Sequence, residues 1–176
     1  MSNTSAQPGW LTPIDADPAY DAALDQLLCS WVAGASGIDA ANVQPGVTPE
    51  VLQGGACVEV TAIQRDENSG YLRQQDESLT LARNESLACR VQFYGPKAQT
   101  IGCRFLDGIT VSQNQSELQR LGFSCIEQEP LQALQTTDTQ PVKYQQVMLH
   151  LSRTVHRDYG VLTLTQAPLF LTGESL

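Results

Sequence analysis

Positive charge is scarce in this chain. Lysine and arginine total 10 against 19 aspartates and glutamates, a formal charge of −9. A surface of that sign repels nucleic acid and anionic membrane unless a local patch reverses the field. The ten cations are scattered along the sequence, which argues against DNA readout but not against DNA passing nearby. Histidine is scarcer still: His150 and His156 are the only two, six residues apart in a strand-like stretch with no cysteine or histidine beside them. That spacing offers no metal site, and two histidines leave little scope for a histidine-assisted triad. No apolar run approaches the ~18 residues that a membrane span needs. The opening "MSNTSAQPGW" has neither the basic patch nor the apolar segment of a secretory signal.

Paired cysteines are missing too. Cys29, Cys57, Cys89, Cys103 and Cys125 are odd in number and none lies close to another. A metal site would want a C-x₂-C pair, so they read as small buried hydrophobes of a reducing compartment. The nucleophile elbow G-x-S-x-G, the dinucleotide turn G-x-G-x-x-G and the zinc helix H-E-x-x-H are all absent. One stretch imitates a phosphate loop. In "VQFYGPKAQTIGCRFLDGI", Val91 to Ile109, a glycine stands beside Pro96 and Lys97 where a strand pattern meets a helix pattern. A P-loop needs G-x-x-x-x-G-K-[ST], whose free backbone N–H groups wrap the phosphates. Here Pro96 removes a donor and no Ser or Thr follows Lys97, so the corner is structural. The acidic pairs Asp66-Glu67 and Asp76-Glu77 fall in a polar stretch that supplies no water-excluded pocket for acid–base work. No catalytic constellation, cofactor or metal site is expected.

What is present is one domain's worth of amphipathic elements. The chain has 176 residues, of which 41% are hydrophobic and 16% charged, enough for a core. Residues 1–16 read as a polar arm anchored by Trp10 and Leu11. A first helix is expected from an N-cap at Asp17 and Pro18, with Tyr20, Leu24, Leu27, Leu28, Trp31 and Val32 on one stripe and Gly34 and Gly37 closing it. "ACVEVTAI" alternates as a strand. It pairs antiparallel with one long strand, Leu79 to Tyr94, bulged near Asn84-Glu85, and Gln64 to Glu77 forms the tip of that long hairpin. Ala98, Ile101, Gly102, Phe105, Leu106 and Ile109 describe a second amphipathic helix, and "QSELQRLG" a short further one. "FSCIEQE" reads as a strand with Phe123, Cys125 and Glu127 on one side, followed by a long loop over "PLQALQTTDTQPVK". Two strands close the chain, with a turn at Arg157 to Gly160, and residues 167–176 form an apolar tail. The class is α+β: a mostly antiparallel sheet with a long β-hairpin and two amphipathic helices packed on one face, in a single domain over residues 17–166.

The combination of "LLCSWVAGASGI", "RVQFYGPKA" running into a helix, "LQRLGFSCIEQEPLQAL" and "YQQVMLHLSRTVHRDYGVLTL" resembles the neck or tail terminator proteins of tailed bacteriophages over about residues 20–166. The resemblance implies a structural virion protein without an active site or cofactor. Such proteins form a ring, commonly a homohexamer, that caps the last tail-tube ring and meets the head–tail connector. The partners it implies are further copies of the chain, the tail tube protein, the neck proteins and the tail sheath where there is one. DNA passes through the lumen unread, no membrane is involved, and assembly takes place in the bacterial host cytoplasm. Contact residues are then expected at the hairpin tip (Arg65, Asp66, Tyr71, Arg73, Asp76), in the long loop (Leu131, Leu134, Asp138) and on the two arms (Trp10, Leu169, Phe170). The alternatives are a head-closure or connector protein, a tail-tube subunit, and an acidic cytoplasmic module that inhibits by mimicking nucleic acid. A mimic would cluster carboxylates on a helix face, whereas here the two main helices carry few acids, Asp21 and Asp25 on one and Asp107 on the other.

Overall fold

A computed structural model describes residues 9–14, 17–46, 54–66, 71–75, 78–135 and 143–161. The described elements, in chain order, are α1 (Asp21–Ser36), a 3-10 turn at Ala40–Asn42, β1 (Val43–Pro45), β2 (Ala56–Arg65), β3 (Tyr71–Gln75), β4 (Ser78–Tyr94), α2 (Ala98–Thr110), α3 (Ser112–Arg120), β5 (Ser124–Gln128), β6 (Gln132–Gln135) and β7 (Lys143–Gly160). This is an α+β architecture built on two long strands, β4 and β7. The sheet order is β1-β2-β4-β7-β5, with β3 added to β4 and β6 added to β7. β1 runs parallel to β2, while β2 and β3 on β4, and β5 and β6 on β7, are antiparallel.

The chain divides into two compact units. The larger comprises Pro18–Gly70 and Arg83–Val155 and holds the core. Every second residue of β4 from Leu87 to Phe93 is buried, as are Val147, Leu149 and Leu151 of β7. Against them pack Leu24, Leu28 and Val32 of α1 and Phe105 and Ile109 of α2. Removing each such side chain from water stabilises the fold by about 1.5–3 kcal/mol. Phe105 sits at the centre, 5.6 Å from the Trp31 ring edge-on and 5.5 Å from the Phe93 ring. The first two helices touch closely because residue 108 is glycine: a Cβ there would lie 2.3 Å from the Ala35 carbonyl oxygen. The smaller unit comprises Met1–Asp17, Tyr71–Ala82 and His156–Leu176. In it β3 pairs with the start of β4, from Tyr71 opposite Ala82 to Gln75 opposite Ser78. The end of β7 gains a partner where Pro13 bridges Tyr159 and the Ile14 N–H donates to the Asp158 carbonyl at 2.8 Å.

Several expectations are corrected. α1 begins at Asp21 rather than Pro18, and its N-cap is Tyr20, which makes no side-chain cap. Residues 18–20 are held out of the helix because the Ala19 carbonyl and the Tyr20 hydroxyl are both committed elsewhere. The helix runs through Gly34 and closes at Gly37, the second of the two expected glycines, whose φ of 71° is the left-handed C-cap. The stretch expected as a hairpin tip contains β3, because Tyr71 and Leu72 belong to a strand that finds a partner in β4. The long loop likewise contains β6, paired with β7 from Gln132 opposite Gln146 to Gln135 opposite Lys143. No turn occurs at Arg157 to Gly160: β7 runs through it, held by the Pro13 bridge. The "VLTLTQ" stretch beyond Val161 lies outside the described residues. The β2–β4 pairing is followed as far as Arg65 opposite Glu85, and in it Thr61 on β2 is an extra residue between the Val60 and Ala62 pairs. A second bulge at Ile126 turns Glu127 away from the side of Cys125, so Glu127 is exposed opposite His150.

Candidate assembly surface and a buried ionic cluster

The strand–helix corner is closed by its own backbone hydrogen bonds. Gly95 takes a φ of 94°, a turn that costs a glycine little. The Ala98 N–H donates to the Gly95 carbonyl at 3.1 Å, and the Tyr94 N–H is spent on the Gly55 carbonyl at 2.9 Å. α2 begins at Ala98, with Lys97 as its cap residue and Pro96 just outside. Tyr94 itself is buried. Its hydroxyl donates to Gln92 Oε1 at 2.8 Å, Gln92 Nε2 donates to Gln146 Oε1 at 3.0 Å, and its ring lies 5.4 Å from that of Tyr144. Burial pushes the Tyr94 phenol well above its ordinary value, with neighbouring Cys57 and Tyr144 adding to the rise.

Two of the thiols are held unreactive by burial. No disulfide joins the cysteines. Burial first, and acidic neighbours second, push Cys29 to about 11, and burial pushes Cys89 to about 12, so both stay protonated. Cys103 departs from the expectation of five buried hydrophobes because it sits on the outer face of α2, and Cys125 is half-buried on the edge strand. Among the described residues, no three histidine, cysteine or acidic side chains come together to hold a metal ion.

One charged constellation is buried, and reasoning from the sequence missed it. Glu85 of β4 is 1% exposed and Arg153 of β7 is 8% exposed. Arg153 Nε donates to Glu85 Oε2 at 3.0 Å, and its Nη1 donates to the Ala19 carbonyl at 2.7 Å. Nη2 lies 2.9 Å from the same carboxylate oxygen, off the hydrogen-bond line, as an ion-pair contact. The other carboxylate oxygen accepts from Tyr20 Oη at 2.6 Å and from Arg65 Nε at 3.1 Å. The Arg153 guanidinium also stands 4.4 Å over the Tyr20 ring. Burial alone would raise the Glu85 carboxyl, but the Tyr20 and Arg153 hydrogen bonds and the nearby guanidinium charges outweigh it and hold the carboxyl below its ordinary value. A carboxylate so committed is a poor base. Chemically the cluster is a clasp: it ties the segment before α1 to β2, β4 and β7. The signal that could have found it was present in the pattern. Glu85 keeps the parity of Leu87, Cys89 and Val91, and Arg153 that of Leu149, Leu151 and Val155, so two opposite charges stand at core positions of two long strands.

The expected contact residues are distributed as follows. Arg65 and Asp66 end β2 and its exit; the Arg65 side chain is 53% exposed although its Nε is engaged with Glu85, and Asp66 is exposed, its N–H donating to the Asn84 carbonyl. Tyr71 and Arg73 are in β3, opposite Ala82 and Thr80, and Arg73 is exposed. Trp10 is 93% exposed. Leu134 is half-buried in β6, and Leu131 packs against the core, with its methyls at 2.9 Å from where a Gly102 Cβ would be. Asp76, Asp138, Leu169 and Phe170 lie outside the described residues. Among the described residues no helix is long and apolar enough to cross a membrane.

No curated protein matches the chain. A family model described as phage neck terminator protein matches residues 22–172, from the first turn of α1 past the end of β7. An acidic α+β chain whose buried carboxylate is locked by two arginines is consistent with a part whose surfaces do the work. The chain belongs to the phage neck terminator protein family and is a non-enzymatic structural component of the virion at the junction of tail and neck.

Proposed function

We propose that copies of this chain close into a ring, with six subunits as the expected number, that ends the tail tube and presents its other face to the head–tail connector. The observation that carries the proposal is the family match across residues 22–172. Six copies at −9 each carry −54, and an acidic bore would repel DNA phosphate so that the genome slides through unheld. The ring's partners are the tail tube protein, the neck proteins and, in a contractile tail, the sheath; assembly takes place in the host cytoplasm. Contacts are proposed at Trp10, whose exposed ring sits with exposed Leu11 and Ile14 in one N-terminal segment, and at Asp66, Arg73 and Leu134. Exposed apolar side chains in one segment are best explained by a surface that covers them.

Electron microscopy of the purified chain, alone and mixed with purified tail tubes, tests this. The expected result is a closed ring with a central hole, free or seated on the tube end. A chain that forms no ring in solution and leaves tube ends bare removes the proposal. A ring that binds connectors but never tubes makes it a head-closure protein instead.

A further inference from the structure

The larger unit exposes few large apolar side chains, and they are not spread evenly. Besides Ile63 they are Val111, Leu121 and Ile126, all within or beside the short stretch that carries α3. The charge of that stretch cancels: between Gly108 and Ile126 the only ionisable groups of opposite sign are Glu117 and Arg120, which pair at 2.8 Å. A groove of about 280 Å³ runs between α1 and α3. Trp31 and Ala35 line its α1 side, with Gly34 beside them, and Asn114, Glu117 and Leu121 line its α3 side. A Cβ added at Gly34 would meet nothing within 4 Å, so the groove is open there. Trp31 is 5% exposed and its indole Nε1 has no hydrogen-bond partner among the described residues. A buried donor without an acceptor is rare in a finished structure.

We propose that this groove is the seat of a second copy of the chain, and so one side of the subunit contact in the ring; the inference rests on the ring reading. The argument for a second copy is electrostatic. Each subunit carries −9, so two copies can approach closely only where charge is absent or already paired, because like charges brought together out of water are strongly unfavourable. The α1–α3 face meets that condition, and its apolar rim supplies the attraction. The occupant brings an apolar side chain, which Gly34 and Ala35 of α1 and Leu121 beyond α3 would cover. A head-to-tail contact of this kind joins unlike surfaces and closes into a ring when the rotation allows.

Two substitutions test it without threatening the fold. Gly34→Leu replaces an exposed helix-interior glycine by a better helix former and fills the groove. Leu121→Asp charges the rim at a residue that is 36% exposed. Complex mass is measured by light scattering and by microscopy, for the chain alone and on purified tail tubes, with melting temperature as the check on folding. The expected result is association at least tenfold weaker in both variants, with Gly34→Leu melting no lower than the parent. If the parent forms rings and both variants form them equally well, the groove inference is overturned and the ring reading stands. If the variants still form rings but lose the tube, the occupant is the tube protein and the second-copy inference is overturned. If the parent forms no ring under either condition, both fall.

Discussion

Two polar patches join the same two strands, the ionic one at core-face positions and the neutral one at positions of the opposite parity, and they are built on opposite principles. Near one end of the pairing, Gln92, Tyr94 and Gln146 form a neutral chain of hydrogen bonds between β4 and β7. Further along, Glu85 and Arg153 form a charged pair that recruits Tyr20, Arg65 and the Ala19 carbonyl. The neutral patch joins two strands; the ionic one joins two strands, a third strand and the approach to a helix. Leaving one member of a buried ion pair alone is far costlier than losing a neutral hydrogen bond, whereas replacing the whole pair by apolar groups can be nearly neutral. The ionic patch therefore makes the fold specific at the price of being brittle.

That contrast can be broken experimentally, beginning with the charges. Arg153→Met leaves Glu85 buried beside a single partly exposed arginine and should destabilise the chain by about 3–5 kcal/mol in urea unfolding. The double variant Glu85→Leu with Arg153→Met removes both charges and should recover most of that loss; a double variant as unstable as the single one would mean that the clasp is needed for itself. At the neutral patch, Gln146→Ala deletes one partner of Gln92 and should cost about 1–3 kcal/mol. If it matches Arg153→Met, the two patches are equivalent and the comparison fails.

Acid sharpens the same distinction. Because the folded Glu85 carboxyl titrates below its ordinary value, its contribution is complete well above the unfolded value of about 4.3 and is lost as pH falls from there through the folded value. Stability measured against pH should fall on that acid side more steeply for the parent than for Glu85→Gln, and the gap between them should close at the lowest pH. The smallest effect is expected at the exposed Glu117–Arg120 pair on α3. Arg120→Ala should change stability by no more than about 0.5 kcal/mol, which marks how little a charge contributes when water can replace its partner.

The elements that local pattern specified strongly were legible in advance. The stripe of Leu24, Leu28, Trp31 and Val32 is buried as its spacing requires, and so is that of Ala98, Gly102, Phe105 and Ile109. β2 and β4 pair antiparallel, and Gly95 turns the corner that a phosphate loop would have needed differently. The misreadings share a cause. Asp17 looked like a helix cap, and the role of Glu85 went unseen, because each was judged against its sequence neighbours. What decides both places is Arg153, whose hydrogen bonds reach Ala19 and Glu85 across 134 and 68 positions of sequence. The bulges at Thr61 and Ile126 escaped for a related reason: a bulge is a relation between two strands, and one strand's alternation does not record its partner's register.

For assembly the division is the same. Length, acidic balance and the order of amphipathic elements gave an α+β domain with no catalytic motif, and four short stretches carried the resemblance to a terminator protein. Those properties are local or additive, and a chain carries them folded or not. The ionic clasp, the strands hidden in expected loops and the neutral groove between α1 and α3 came only with the tertiary structure. Each depends on residues far apart in sequence sharing one low-dielectric neighbourhood, and there a charge is stable only when its partner is already in place.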